Sequence, residues 1–383
     1  MFEFLYGSLT SIPHYAISAL LVFTPIVFIH ELGHFLVARW CGIKIDAFSI
    51  GFGKELVGFN DKHGTRWKLS AVPLGGYVKF TGDENAASVP DLDAIDAVPE
   101  EERVGLFYFS ALWKRVAVVA AGPIANFLLA IVIIASLLLS VGRPELEPRV
   151  SSVIPGGAAE QVGILPGDLL LEIDGREMKT FTDVRRLVSL ATGNELNIVV
   201  DRDGERIAFT AIPIRTEMPN GLGGVQRTGM LGIRGGGEGA KYVIREFGLG
   251  DALVEAVRET GAIVEGTLTY IGRIFVGRES ADQLSGPLGI AKISGDIAER
   301  GGGLSLLNLA AILSVSIGLL NLFPIPMLDG GHLMFYAYEA VRGRPLDARA
   351  QDISFRFGFA LVILLFLFVT FNDISAIYRD LIS

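Results

Sequence analysis

The chain has 383 residues, of which 50% are hydrophobic, and a formal net charge of -9 at pH 7. A mean hydropathy of +0.47 is high for an ordinary soluble domain and indicates a membrane protein. The acidic balance, with no basic cluster to offset it, argues against a nucleic-acid partner. The single cysteine, Cys41, excludes an internal disulfide bond and is interpreted as a small apolar filler rather than a functional thiol.

Four segments are apolar over a length that can cross a bilayer, which takes about 20 residues in a helix. We predict membrane spans at residues 16–38, 116–141, 304–323 and 355–373. The first segment follows no basic region and carries ionisable residues at its centre, unlike a signal peptide. We therefore expect this segment to be retained.

The orientation of the spans is predicted from the Lys and Arg residues near their ends. These residues cluster between the first two spans and between the last two: Arg39, Lys44, Lys114, Arg115, Arg342, Arg344, Arg349 and Arg356. Because positive charges favour the cytoplasmic side, residues 40–115 and 329–356 are predicted to be cytoplasmic. Both termini and residues 142–303 are predicted to be extracytoplasmic.

The predicted organisation is a membrane core of about four transmembrane helices, formed by residues 1–142 and 304–383. Residues 43–80 contain β-prone runs separated by glycines, which predicts a β-loop on the cytoplasmic side. Residues 249–276 have apolar residues at helical spacing, which predicts an amphipathic helix within the extracytoplasmic region 241–303. This helix could pack on an external domain or lie on the membrane surface.

A compact α+β domain is predicted at residues 145–234. It contains the turns Pro166-Gly167-Asp168 and Ile173-Asp174-Gly175, a helix-like run over 181–190, and two alternating strands around Asp203-Gly204. This order resembles a bacterial, circularly permuted PDZ domain, present in one copy. The resemblance implies that the domain binds a peptide or chain end, or acts as a steric gate.

The first span contains His30-Glu31-Leu32-Gly33-His34, an H-E-x-x-H motif. Residues four apart share one face of a helix, so both imidazoles can bind one metal ion while Glu31 handles a water molecule. Two imidazoles suit Zn²⁺, which takes a third protein ligand and a water in catalytic sites. An ionised residue at the centre of a span costs about 2.5–3.5 kcal/mol, and a metal ion compensates for this. A satisfied polar cluster in a soluble helix is the alternative, and the apolar flanks argue against it.

The third ligand is expected to be another intramembrane carboxylate or imidazole. The third span ends with Pro324 and Pro326, which break the helix, and then Asp329. Gly330-Gly331 allows a tight turn, and irregular backbone at membrane depth lines cavities. We predict that Asp329 is the third ligand of one zinc ion per chain. His332 is an alternative ligand, and a helix-ending turn in water is the alternative role for Asp329.

These motifs together resemble the site-2 protease family of intramembrane zinc metalloproteases, in its bacterial regulator-of-sigma-E protease branch. The resemblance covers nearly the whole chain and includes the N-x-x-P-x-P-x-x-D-G pattern that begins at Asn321. It implies that His30, His34 and Asp329 bind zinc and that Glu31 is the general base. It also implies that Asn321 contacts the substrate backbone or the developing oxyanion.

Further segments carry the same resemblance. Residues Gly122 to Asn126 match a small-residue stretch of the family that ends in Asn. Asn126 could position substrate or donate to the oxyanion; the alternative is a helix–helix hydrogen bond worth about 0.6 kcal/mol. Gly122 is expected to allow close approach of helices. The β-loop at 43–80 and the segment Ser285 to Ile290 also match, but the sequence does not assign a role to the latter.

The resemblance implies a metalloendopeptidase of the bacterial inner membrane. Its expected partners are membrane lipid and transmembrane substrates, such as anti-sigma factors or remnant signal peptides, after a first cut outside. A divalent-metal transporter or a catalytically inactive membrane scaffold with a PDZ domain is the alternative function. A transporter would not need Glu31 beside the water, and an inactive relative would be expected to lack part of the site.

Overall fold

The computed structural model of the protein describes residues 2–82, 98–191, 193–219, 225–237, 240–281 and 284–382. Contacts between residues divide the chain into two compact units. The membrane unit consists of residues 1–137 and 250–383, and the inserted unit consists of residues 138–249.

The described helices are α1 (Phe2–Trp40), α2 (Leu112–Ser140), α3 (Ala158–Val162), α4 (Phe181–Leu190), α5 (Leu249–Phe275), α6 (Pro287–Asn321), α7 (Asp329–Arg342) and α8 (Ala348–Ile382), with a short 3-10 helix at Glu100–Glu102. Helices α1, α2, α6 and α8 are long and apolar enough to cross a membrane. The prediction of about four membrane-type helices is thereby confirmed, and each helix is longer than the span predicted for it.

Helix α6 begins at Pro287, well before the predicted third span. Its backbone leaves the helical conformation at Gly302, where φ is 63° and ψ is -160°, and glycine adopts such a conformation easily. The part before Gly302 carries charged residues, including Lys292, Asp296 and Glu299. A reading based on hydropathy therefore finds only the apolar part that follows.

The β-loop predicted at 43–80 is present as two paired strands, β1 (Ile45–Asn60) and β2 (Arg66–Phe80). The start of β1 faces the end of β2, and the end of β1 faces the start of β2. The pairing register shifts between Ile50 and Glu55, and glycines with positive φ lie in this region, at Gly51, Gly53 and Gly75. These glycines therefore lie where the pairing departs from a regular ladder.

Aromatic packing attaches this pair of strands to the second half of α1. Phe48 is 1% exposed, and its ring centroid is 4.3 Å from that of Trp67 and 5.4 Å from that of Phe35. Arg39, near the end of α1, pairs with Asp61 at 2.7 Å between Nη2 and Oδ2. Buried aromatic side chains contribute a large apolar area and specific ring geometry. The strands are therefore held beside the H-E-x-x-H motif.

Small residues let α1, α2 and α6 approach closely. A Cβ atom at Gly33 of α1 would lie 2.4 Å from the carbonyl oxygen of Ala121 in α2. A Cβ atom at Gly318 of α6 would lie 3.1 Å from the carbonyl oxygen of Pro123. Helix association in a membrane depends on such close packing, because lipid is as apolar as the helix surface. Helix α2 thus packs closely against both α1 and α6.

The inserted unit contains β3 (Arg143–Leu146), β4 (Ser152–Val153), β5 (Leu169–Ile173), β6 (Arg176–Glu177), β7 (Leu196–Arg202), β8 (Glu205–Ala211), β9 (Ile214–Pro219), β10 (Val225–Met230), β11 (Ile233–Arg234) and β12 (Tyr242–Arg245). One antiparallel sheet has the order β6-β5-β7-β8, and the other pairs are β3–β12, β4–β11 and β9–β10. Its core includes Leu170, Ile173 and Ile198 of the sheet and Val184 of α4.

Candidate metal centre

His30 and His34 lie on one face of α1 and are directed at the same point. Their Nε2 atoms are 3.2 Å apart, and both residues are buried. The spacing of four residues produces this arrangement because an α-helix has 3.6 residues per turn. The predicted pair of imidazole ligands is therefore formed by one helix.

Asp329 is the first residue of α7 and reaches the imidazoles from a distant part of the chain. Its Oδ2 atom is 3.2 Å from His30 Nε2, and its Oδ1 atom is 3.5 Å from His34 Nε2. One ligand atom from each of the three residues lies within 4.8 Å of the others. The structure thus brings together the three residues predicted to bind zinc.

The loop between α6 and α7 turns differently from our expectation. Gly330 and Gly331 belong to the first turn of α7, and the positive φ in this region, 90°, is at Met327. A Cβ atom at Gly330 would lie 2.3 Å from the carbonyl oxygens of Leu322 and Phe323. The glycines therefore allow α7 to start in contact with the end of α6, which places Asp329 at the imidazoles.

The three side chains fit a divalent metal ion. Asp329 Oδ2 is buried without a hydrogen-bond partner in the described part of the chain, although His30 Nε2 is near. An unpaired buried oxygen is costly, so this site favours a cation. Two imidazole nitrogens and one carboxylate oxygen are a donor set of catalytic zinc sites, which keep a further position for water.

Helix α2 forms the wall behind the imidazoles through three residues spaced four apart. His34 Nδ1 is 2.8 Å from the carbonyl oxygen of Val118, and His30 Nδ1 is 3.3 Å from Nδ2 of Asn126. Between these contacts, a Cβ atom at Gly122 would lie 2.3 Å from His34 Nε2. Any larger residue at this position would displace the rings.

A cavity of about 190 Å³ opens beside the three side chains. The two residues predicted to contact substrate or water, Glu31 and Asn321, both line this cavity. Strand β2 passes against Glu31, since a Cβ atom at Gly76 would lie 2.9 Å from Glu31 Cγ. Asn126, the other predicted catalytic residue, is 0% exposed and lies behind His30 instead.

The sequence does not reveal every residue that shapes the site. The carbonyl of Val118 is a backbone group and leaves no side-chain pattern in a sequence. Gly76 belongs to a glycine pair in a β-prone run, and this pair is the only sign in the sequence that another group approaches the strand closely there. His332 lines the cavity but lies outside the group of three ligand residues found among the described residues.

Helices that can cross a membrane, with two imidazoles, a carboxylate and a Glu at one buried cavity, define a membrane metallopeptidase. The sequence matches the family model Peptidase family M50 over residues 18–365. A Rhizobium meliloti protein is 51% identical over 359 residues, 94% of this chain and 96% of the relative. An Agrobacterium fabrum protein is 50% identical over 363 residues, 95% and 96% of the two chains. The names of both relatives describe zinc metalloproteases.

A third relative, the metalloprotease MmpA of Caulobacter vibrioides, is 40% identical over 380 residues, 94% of this chain and 95% of the relative. The chain belongs to peptidase family M50, the site-2 protease family, and this confirms the family indicated by its motifs. It is accordingly a membrane zinc metalloprotease with Zn²⁺ as its cofactor.

Proposed function

We propose that the protein hydrolyses peptide bonds in or near transmembrane segments of other membrane proteins, after a first cut outside the membrane. The observation that carries the proposal is the meeting of His30, His34 and Asp329 at a buried cavity formed by membrane-type helices. The proposed location is the bacterial inner membrane, with residues 40–115 and 329–356 in the cytoplasm. Anti-sigma factors and remnant signal peptides are the proposed substrates.

His30, His34 and Asp329 would hold one zinc ion. Bound there, zinc supplies a Lewis acid that polarises a peptide carbonyl and makes water acidic enough to react at neutral pH. Gly122 of α2 leaves the space that both rings need. The buried position of the rings keeps bulk water away from the ligands.

Glu31 is the proposed general base and then general acid. It takes a proton from the attacking water, whose oxygen bonds to the carbonyl carbon. The C–N bond then breaks, and Glu31 returns the proton to the leaving amine, so the products are a carboxylate and an amine. Asn321, at the end of α6, donates a hydrogen bond to the oxygen on which negative charge develops.

A substrate helix hides its peptide bonds in its own hydrogen bonds and has to unwind before attack. Residues 76–78 of β2 are extended and line the cavity beside Glu31. An unwound substrate segment that runs beside β2 would be held by main-chain contacts, as in strand addition. The proposed role of the β-loop is therefore to hold the extended substrate at the metal centre.

The inserted unit is proposed to be a PDZ domain that binds a chain end or excludes untrimmed substrates. The order of its elements, with α4 between strand pair β5–β6 and strands β7 and β8, supports this assignment. A cavity of about 870 Å³ lies among α4, β6 and β12 within this unit. Its lining combines apolar residues with charges of both signs, which suits a peptide.

Glu31→Gln is the direct test of the proposed reaction. Glutamine keeps the shape of the side chain but cannot accept the proton, so cleavage should fall by about 10²–10⁴-fold. Cleavage of transmembrane substrates is measured after reconstitution in liposomes, with and without a zinc chelator. Zinc content, measured by atomic emission, should stay at one ion per chain.

Glu55→Gln is the matched control. Glu55 of β1 pairs with Arg66 of β2 at an exposed position, so this substitution should not affect cleavage. Unchanged cleavage by Glu31→Gln would remove Glu31 from the mechanism. Zinc flux across the liposome membrane without any cleavage would favour the transporter instead.

A further inference from the structure

Asn126 is a buried polar residue that lies away from the cavity. Its Nδ2 atom is 3.3 Å from Nδ1 of His30, the ring nitrogen that does not face Asp329. Ser314 of α6 donates a hydrogen bond of 2.8 Å to the carbonyl oxygen of Asn126. At Gly318, a Cβ atom would lie 3.2 Å from Asn126 Cβ. Helix α6 thus holds Asn126 behind His30.

The chemistry of imidazole determines what Asn126 can do for His30. A neutral imidazole carries one N–H, and the other nitrogen supplies the lone pair that binds a metal ion. His30 presents Nε2 toward Asp329 and His34, so Nδ1 would carry the hydrogen when Nε2 binds a metal ion. This N–H needs an acceptor, and only the oxygen of the Asn126 amide can accept, since the amide nitrogen is a donor.

Nothing else in the described part of the chain fixes which end of this amide faces His30. Asn126 Oδ1 has no hydrogen-bond partner there. The two ends of an amide are nearly identical in shape, so a half-turn brings Oδ1 to the same contact with Nδ1. His34 has an equivalent acceptor, the Val118 carbonyl at 2.8 Å. Helix α2 can therefore offer one oxygen to each imidazole.

We propose that Asn126 is a positioning residue that accepts a hydrogen bond from His30 Nδ1–H and so fixes the tautomer and orientation in which Nε2 binds zinc. This inference rests on the proposed zinc site and adds to it a residue outside the three ligands. It gives Asn126 a role through His30 in place of contact with substrate. Removing such a partner typically weakens metal binding by about 10–100-fold.

The test measures zinc affinity of the full-length enzyme in detergent by competition with a chelator. Asn126→Leu removes the acceptor at similar size and should weaken zinc binding by about 10–100-fold. Asn126→Asp keeps an oxygen acceptor but has no N–H donor, so its affinity should stay within about threefold of the wild type. Ser316→Ala, which loses only an exposed hydrogen bond to the Ile312 carbonyl within α6, is the control and should leave zinc affinity unchanged.

The outcomes separate this inference from the proposed function. Equal weakening by the Leu and Asp variants would overturn the inference, because it would mean that the N–H groups of Asn126 are needed. Unchanged zinc affinity in Asn126→Leu would overturn it as well. If the wild type binds no zinc, or still binds zinc after His30→Ala, the proposed function fails instead.

A measurement on the wild type avoids any dependence on how the variants fold. In enzyme loaded with Co²⁺, the Nδ1–H hydrogens of imidazoles bound through Nε2 give strongly shifted, exchangeable NMR signals. Two signals that are slow to exchange are expected, one from His34, whose acceptor is the Val118 carbonyl, and one from His30, whose proposed acceptor is the buried Asn126 amide oxygen. A single slow signal would contradict the acceptor role of Asn126.

Discussion

Asp329 and His332 are one helical turn apart on α7, and both line the same cavity. The sequence leaves both open as third ligand, because each side chain can bind zinc. In the structure, the Asp329 carboxylate lies within 3.5 Å of both imidazoles. The ring of His332 lies instead against the ring of Phe355, with centroids 5.5 Å apart.

Asp329→Asn should therefore lose zinc, because a neutral amide oxygen is a weaker ligand than a carboxylate. His332→Gln, which changes the neighbouring candidate on the same helix, should retain one zinc ion per chain. Both are measured by atomic emission after dialysis against a buffer with low free zinc. Loss of zinc only in His332→Gln would assign the third ligand to His332.

The residues of the site differ in how far the sequence predicts them. The spacing of His30 and His34 on one helix is enough to predict that they meet, and the structure brings them together. The contact of Asn126 with His30 depends on how α2 packs against α1, which no spacing within either helix reports. The role of Gly330 is also hidden from the sequence, because it depends on packing between distant backbone segments. Gly330 allows close packing and does not form the turn that we expected.

At the scale of elements, the segment Ser285 to Ile290 acquires a structural role. The backbone N–H groups of Gly286 and Gly289, at the start of α6, each donate a hydrogen bond of 2.9 Å to Asp373 of α8. The first N–H groups of a helix have no partner within the helix, so a carboxylate from elsewhere caps them. Asp373 is 4% exposed, which makes this cap a buried link between α6 and α8.

Asp373→Asn should lower the stability of the membrane unit by about 1–3 kcal/mol, since it weakens two hydrogen bonds to a charged group. Thermal unfolding in detergent, followed by circular dichroism, measures the change. Asp352→Asn is the control: Asp352 pairs with Arg356 on the exposed side of α8 and should have little effect. Equal melting temperatures for wild type and Asp373→Asn would show that the cap does not stabilise the fold.

Within the inserted unit, Asp168 joins β5 to β7 through two contacts of 2.7 Å with Arg202. Burial alone raises the pKa of Asp168, but hydrogen bonds from Arg202 and the Leu165 amide outweigh it and hold the pKa below its ordinary value. A carboxyl with a lowered pKa stabilises the fold fully above its unfolded pKa of about 4. This stabilisation is lost as pH falls through the folded pKa.

Asp168→Asn should therefore destabilise the inserted unit at pH 7, and its difference from the wild type should shrink below about pH 4. Urea titrations of the whole protein, read by hydrogen exchange in β5 and β7, measure the stability at each pH. Glu195→Gln, a change at an exposed residue just before β7, is the control. A difference that stays constant from pH 7 to pH 3 would contradict the assigned charge interaction.

At the scale of the whole molecule, the chain enters and leaves the inserted unit through neighbouring strands. Strands β3 and β12 pair with each other, and the backbone N–H of Glu147 donates to the carbonyl of Lys241 at 2.9 Å. A short linker can therefore replace residues 148–240 while both strands stay in place. Such a deletion tests directly whether the inserted unit excludes untrimmed substrates, as proposed above.

Replacing residues 148–240 by a Gly-Ser linker should leave zinc content unchanged, since the three ligand residues belong to the membrane unit. If the inserted unit is a gate, the shortened enzyme should cleave an untrimmed substrate that the full-length enzyme refuses. The same deletion with Glu31→Gln is the control for contaminating proteases. Continued refusal of the untrimmed substrate would place the gate elsewhere in the protein.

The sequence predicts the class of the whole molecule well, because hydropathy and the H-E-x-x-H motif depend on local residues. The four membrane-type helices are found near their predicted positions. The helical part of α6 before Gly302 is absent from the prediction, since charged residues there hide it from a hydropathy reading. The register shifts between β1 and β2 also depend on contacts between distant residues.

Cys41 offers a labelling site at the junction of α1 and α2 that needs no engineered cysteine. It is the only sulfhydryl in the sequence and is 7% exposed, just beyond the end of α1. The ammonium group of Lys114 in α2 donates to its main-chain carbonyl at 2.8 Å, so α1 and α2 are joined at this point. A maleimide dye reaches such a buried sulfur poorly, so fluorescence labelling of the unmodified enzyme with and without substrate would measure whether this junction loosens.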